Sequence, residues 1–195
     1  MFDRQRKTAD PCPGCRMHMS LCFCSEIPRI ETRTRVSVLI HAKELKRTSN
    51  TGRLATLALT NSALLVRGLR DQEIDAAALA STSDYEPVLF FPSEDAEELA
   101  PSARPIHLIV PDGNWRQASK VNTRYPEFVT MRRVKISAEN TSQYFLRKET
   151  TPEGMATLQA IAEALGIVES REVRDQLMKV YDLKLMRTMK ARGVV

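Results

Sequence analysis

Apolar residues in this chain fall into short, dense runs separated by longer amphipathic stretches. Residues 35–41 (RVSVLIH), 88–92 (VLFFP), 106–110 (IHLIV) and 129–137 (VTMRRVKIS) are short and rich in β-branched or aromatic residues. Such runs predict buried strands. The stretches between them have helical spacing. Residues 49–69 place Leu54, Leu57, Ala58 and Leu65 on a helix with Ser49 or Asn50 as its cap. SEDAEEL, from Ser93, reads as a helix start with Ser93 at the cap and acids in the first turn. RQASKVNTRYP reads as a helix that stops before Pro126. Residues 151–166 form a strong pattern, with Thr151 at the cap, Pro152 first, Glu153 in the opening turn and Gly166 as the stop. Residues 170–192 predict a basic amphipathic helix with Val173, Leu177, Tyr181 and Leu185 on one face.

Strands alternating with helices predict an α/β fold, a mostly parallel sheet covered on both faces. Ligands in such sheets bind beyond the carboxyl ends of strands. Three strand ends carry polar, turn-forming residues: 41–44 (HAKE), 92–93 (PS) and 111–115 (PDGNW).

The 195 residues fit one domain with a small appendage. No apolar run is long enough to span a bilayer, and the polar N-terminus lacks the apolar core of a secretory signal. The cytosol is the expected compartment, and disulfides are rare there. The formal charge of +5 is unevenly spread: residues 71–103 contain no Lys or Arg, and basic residues crowd both flanks. Folding can gather those flanks into one face suited to a polyanion such as RNA, or leave them as an ordinary solvated surface.

All four cysteines lie in CPGCRMHMSLCFC, as a C-x2-C pair (Cys12, Cys15) and a C-x-C pair (Cys22, Cys24). Four thiolates on two tight turns can close a tetrahedral zinc site, and His18 between the pairs could replace one of them. A redox pair is the competing reading. The site would be structural, fixing a lobe at residues 1–27 too poor in apolar residues to fold alone, with an α/β domain at 28–195. In DGNWRQASK, Asp112 could take a proton or bind an amine, and Trp115 could stack on a base. The same residues could equally make a turn that caps a helix. In HAKELKRTSNTGRLA, Lys46, Arg47 and Arg53 surround an Asn-Thr-Gly turn that could hold an anion or simply cap a helix. No Walker A, G-x-G-x-x-G or HExxH motif is present.

Taken together and in order, CPGC…CFC, HAKELKRTSNTGRL, LFFPSEDA, DGNWRQA and YFLRKETTPEGMATLQAIAEAL resemble the DTW-domain family. The one departure is Asn114 where the naming motif has Thr. The resemblance spans about residues 12–168. It implies a SPOUT-like sheet with a C-terminal knotted site for S-adenosylmethionine. It also implies transfer of that molecule's 3-amino-3-carboxypropyl group to N3 of a tRNA uridine, in the variable loop for bacterial members, releasing methylthioadenosine. Carried onto this chain, S-adenosylmethionine would be gripped by Pro92 and Ser93, by Val110, Asp112, Gly113, Asn114 and Trp115, and by Tyr144, Leu146, Arg147 and Thr157. Asp112 would be the catalytic carboxylate, as base or as holder of the donor's amino group. Arg47, Arg53, Arg116, Lys120 and Arg124 would contact tRNA, and Cys12, Cys15, Cys22 and Cys24 would hold Zn2+. Two other readings remain open: a methyltransferase that releases S-adenosylhomocysteine, and a non-catalytic zinc-containing tRNA-binding protein. A monomer is expected.

Overall fold

The computed structural model of the chain describes residues 9–70, 73–113, 115–137 and 155–194. Six strands form one sheet: β1 (Arg35–His41), β2 (Ser62–Arg67), β3 (Glu86–Phe90), β4 (Glu97–Glu98), β5 (Ile106–Asp112) and β6 (Arg133–Lys135). Their spatial order is β2-β1-β5-β3-β6-β4, and every pair is parallel. The carboxyl ends therefore share one edge, which brings the three predicted strand ends to the same side. From β1 the chain leaves toward β2, and from β3 it leaves in the opposite direction, toward β4. Strand β5 fills the gap between β1 and β3, so its end, at Asp112, lies where the connections diverge. That is where open parallel sheets place ligands.

The two faces follow the period-2 pattern of the strands. Val36, Val38, Val88, Phe90, Leu108 and Val110 face one layer, made of helices α1 (Gly52–Ala58), α5 (Thr157–Val168) and α6 (Arg171–Ala191). Leu39, Leu89 and Ile109 face the other, with α2 (Ala76–Ala80), Val121 and Phe128. The short helices α3 (Trp115–Ala118) and α4 (Val121–Arg124) follow β5 and stop before Pro126, as the sequence predicts.

Three predicted elements differ. The helix expected over 49–69 ends at Ala58, and SALLVR becomes edge strand β2, laddered along Val36–His41 of β1. A short apolar run fits helix or strand equally by period, and the open edge of β1 decides it. SEDAEEL forms a turn and the two-residue strand β4 instead of a helix. Its acids are taken by basic residues of β6 and the residue before it: Arg132 pairs with Glu97 at 3.1 Å, and Arg133 with Asp95. The penultimate helix starts at Thr157, with Ala156 at its cap, and runs through Gly166 to Val168. The expected start at 151–153 lies outside the described residues. Gly166 is a packing glycine, because a Cβ there would meet the Arg174 side chain at 3.2 Å. The knot implied by resemblance would involve residues 138–154, which also lie outside the description.

The turn between α5 and α6 is tied to the start of β1. Glu169 accepts hydrogen bonds from Thr34 N (2.6 Å), Thr34 Oγ1 (2.5 Å) and Arg33 N (3.3 Å). Thr34 is buried. Removing the carboxylate leaves a buried donor unpaired, which costs about 1–3 kcal/mol. Glu169→Ala should therefore lower the melting temperature by several degrees in a thermal unfolding scan, roughly 2–4 °C per kcal/mol at this size.

Candidate metal centre and ligand site

The thiol-rich segment folds as two tight turns. Cys12 N bonds Met17 O and Arg16 N bonds Cys12 O, closing the first knuckle, with Arg16 in the left-handed region. The four Sγ atoms lie within 4.8 Å of one another. Individual separations are 3.4 Å (Cys22–Cys12), 3.6 Å (Cys12–Cys24) and 3.9 Å (Cys15–Cys22). A tetrahedron with Zn–S bonds near 2.3 Å has S···S edges of about 3.8 Å, whereas a disulfide needs about 2.05 Å. The geometry fits a metal centre and not a disulfide. His18 is not one of the clustered ligands; its Nδ1 accepts a hydrogen bond from Ser20 N at 3.2 Å.

The electrostatics agree. Burial works against ionising Cys12, but hydrogen bonds from the backbone at Cys15 and Gly14 and from the thiols of Cys22 and Cys24 outweigh it and hold Cys12 at about 7. Cys24 is pushed up by burial and by the thiols of Cys12 and Cys22. Crowded sulfurs cannot all ionise without a cation, and a divalent metal removes that conflict. Beneath them sits Lys184 of α6, fully buried. Its Nζ donates to Cys15 O at 3.1 Å and lies 3.1 Å from Met17 Sδ. Burial pushes this ammonium down to about 8, against the pull of Cys15, Cys12 and Cys24. A second tie to the same helix is the Arg187–Glu26 ion pair at 2.7 Å. Cys12, Cys15, Met17 and Phe23 share one buried cluster with the sheet and α6. Sequence periodicity put Leu185 on the buried face of this helix; the fully covered positions are Leu177, Val180, Tyr181 and Lys184.

The second site forms at the end of β5. Asp112 is 4% exposed. Its Oδ2 accepts from Asn50 Nδ2 at 2.5 Å, and its Oδ1 accepts from Thr157 Oγ1 at 2.7 Å. Thr51 Oγ1 accepts from Leu158 N at 3.2 Å, tying the same two loops together. Gly52 is required here: a Cβ would stand 2.6 Å from Asp112 Oδ2. Gly113 turns with φ 157°, and a Cβ there would meet Gln117 Oε1 at 2.8 Å. Three motifs far apart in sequence thus meet on one carboxylate. Asn50 was legible only as a helix cap. It does hold Arg53 N on its Oδ1 at 3.4 Å, but its amide nitrogen belongs to Asp112.

The remaining predicted residues are distributed around this edge. Val110 is buried in β5, while Pro92 and Ser93 follow β3, with Ser93 N bonded to Phe91 O. Trp115 and Arg116 open α3. Asn114, Tyr144, Leu146 and Arg147 lie outside the described residues. Arg47 pairs with the buried Glu44 at 3.2 Å. Arg53 Nη1 donates to Pro13 O at 3.0 Å, linking α1 to the cysteine knuckle. Lys120 and Arg124 are exposed beyond β5. Sequence reasoning missed Arg67, the last residue of β2. It is buried, and donates to Leu39 O (3.4 Å) and Gln117 O (2.7 Å), pinning α3 to the sheet edge. Its neighbour across the ladder, His41, is held below its ordinary value by burial and then by Arg67, Lys43 and Arg124. A cavity of about 330 Å3, lined in part by Gly68, Ile74, Arg124 and Tyr125, opens beside this basic cluster.

A family model described as "DTW domain" matches residues 9–189. The chain is 30% identical over 187 residues to a Drosophila melanogaster protein named tRNA-uridine aminocarboxypropyltransferase 2, covering 88% of this chain and 74% of that one. It is 24% identical to the Mus musculus protein of the same name, covering 86% of this chain and 60% of the relative. It is also 24% identical to tRNA-uridine aminocarboxypropyltransferase A of Arabidopsis thaliana, covering 93% and 84%. No solved structure matches the chain.

The cysteine geometry makes a direct prediction. Mass spectrometry of metals in the purified protein should find about one zinc per chain, lost in Cys12→Ser and Cys22→Ser. Stripping the metal should speed amide exchange in α6 around Leu177 and Lys184 while sparing α2. A metal-free native protein would refute the centre.

Proposed function

The chain belongs to the DTW-domain family, and from that premise we propose that it transfers the 3-amino-3-carboxypropyl group of S-adenosylmethionine to N3 of a tRNA uridine, in the variable loop. The observation that carries this reading is the meeting of three separate motifs on the buried carboxylate of Asp112, at the ligand edge of a parallel sheet. Support also comes from the relatives' names, which specify a tRNA uridine and an aminocarboxypropyl group.

In this reaction uridine N3 loses its proton and bonds to the γ-carbon of the donor's methionine arm. The γ-carbon–sulfur bond breaks, its electron pair stays on sulfur, and neutral methylthioadenosine leaves. A methyltransferase would instead present the methyl group of the same sulfonium, so orientation of the methionine arm decides the product. On this reading the arm lies at the carboxyl ends of β3 and β5. Pro92, Ser93, Val110, Gly113, Asn114 and Trp115 form two walls, and Tyr144, Leu146, Arg147 and Thr157 form the third. Asp112 is the polar anchor at the centre. Arg67 serves this wall indirectly, because its bond to Gln117 O fixes the helix that begins at Trp115.

The RNA lies across the basic edge, on Arg47, Arg53, Arg116, Lys120 and Arg124, with His41 and Lys43 beside them. The zinc-holding lobe is structural: it braces α1 and α6 and takes no part in the chemistry. The unit at residues 1–27 then acts as a buttress of the domain at 28–195. The protein works in the cytosol as a monomer.

The first test is to incubate the protein with S-adenosylmethionine and unmodified tRNA, digest the RNA and analyse the nucleosides by mass spectrometry. A uridine carrying an added aminocarboxypropyl group, with methylthioadenosine released, is the expected result. A methylated nucleoside with S-adenosylhomocysteine, or tRNA binding without donor consumption, would overturn the reading. Asp112→Asn should lower turnover at least about 100-fold, the scale seen when a key electrostatic group is removed. A separate measurement addresses the RNA face. Lys120→Ala with Arg124→Ala should weaken tRNA binding and reduce the slope of log affinity against log salt by about 0.7–0.9 for each phosphate no longer neutralised.

A further inference from the structure

Asp112 has two candidate roles in the proposed reaction: taking the N3 proton, or holding the amino group of the donor. Its surroundings separate them. Both carboxylate oxygens receive hydrogen bonds from neutral donors, the Asn50 amide at 2.5 Å and the Thr157 hydroxyl at 2.7 Å. The Asn50 amide is oriented by its own carbonyl oxygen, which accepts from Arg53 N, and its side chain is buried. Thr157 is the first residue of α5, held in place by the Thr51–Leu158 bond one residue on. Gly52 closes the remaining approach from α1. The carboxylate therefore cannot rotate without breaking bonds to two elements.

Neutral donors of this kind stabilise the charged form of a carboxylate without cancelling its charge. A proton acceptor needs the reverse, a carboxylate whose charge is poorly supported. A fixed, ionised carboxylate still has lone pairs beyond those its two neighbours use, because each oxygen can accept more than one hydrogen bond. That is the equipment of a seat for a cation.

We propose that Asn50 and Thr157 are positioning residues that fix Asp112 as the seat for the primary ammonium of the donor's methionine arm, so that Asp112 sets the arm's orientation and leaves the proton transfer to another group. This rests on S-adenosylmethionine being the donor. The seat would select the transferred group: anchoring the arm's far end turns its γ-carbon, and not the methyl, toward the nucleophile.

The test uses three ligands measured by calorimetry on the full-length protein: S-adenosylmethionine, S-adenosylhomocysteine and methylthioadenosine. The first two carry the amino acid arm, the second lacks the sulfonium charge, and the third has neither. Asp112→Asn and Asn50→Ala should weaken the first two by about tenfold or more, the scale of a lost charge-assisted hydrogen bond, and leave methylthioadenosine unchanged. Thr157→Val should do the same more weakly. Thr157→Ser, which keeps the hydroxyl, should bind like the wild type, and this pair carries the test if Asn50→Ala fails to fold. Unchanged affinity for both arm-bearing ligands with reduced turnover would overturn the proposal in favour of a proton acceptor. Parallel loss of methylthioadenosine would overturn it in favour of a scaffold role, and loss confined to S-adenosylmethionine would assign the carboxylate to the sulfonium instead. If the wild type binds none of the three, the donor reading itself falls.

Discussion

A negative charge removed from water at the end of β5 is the constraint around which this fold is arranged. An almost fully buried carboxylate is costly unless hydrogen bonds support it. Here the support comes from two distant segments, Asn50 before α1 and Thr157 at the head of α5. Those segments can reach it only if α1 and α5 lie on the same face of the sheet and begin at its carboxyl edge. The parallel topology supplies that arrangement, since every return of the chain brings the next helix start back toward the same edge. Gly52 lets the two backbones approach closely enough for the bonds to form.

The metal centre solves a related problem by a different route. A lobe with few apolar residues presses its cysteines against α6, and the helix meets them with a buried Lys and a surface Arg. Four thiolates around a divalent ion carry a net charge of about −2, so a buried ammonium beneath them is electrostatically consistent. The same ammonium would be a liability beside a protonated cluster. Metal occupancy and the docking of α6 are thus linked through one side chain.

Much of this was readable from residues alone. Strands β1, β3 and β5 announce themselves as dense apolar runs, and the alternation of elements points to the parallel sheet and its ligand edge. The cysteine spacing names four ligands, which the structure brings together. What stayed hidden depends on interactions between distant segments. SALLVR has no period to separate strand from helix, and only the free edge of β1 makes it β2. The acids after Ser93 carry a good helix signal, overridden by Arg132 and Arg133 from a segment 35 and 38 residues away. Asn50 and Arg67 look like a cap and a lone surface cation. Their roles appear only when Asp112 and Gln117 arrive beside them. Lys184 reads as part of the charged face of its helix, because nothing local reveals that a carbonyl 169 residues earlier will receive it.

That last separation bears on how the protein is made. Synthesis delivers the four thiols first and the helix that covers them last, with nearly the whole domain translated in between. Throughout that interval the nascent lobe must keep its sulfurs reduced without the wall that finally shields them. A metal captured early would bind at an open, exchangeable site, and α6 would close over it only on leaving the ribosome. The chain is sealed at its beginning by its end, so a truncated product would keep every metal ligand and still lack the means to retain the ion.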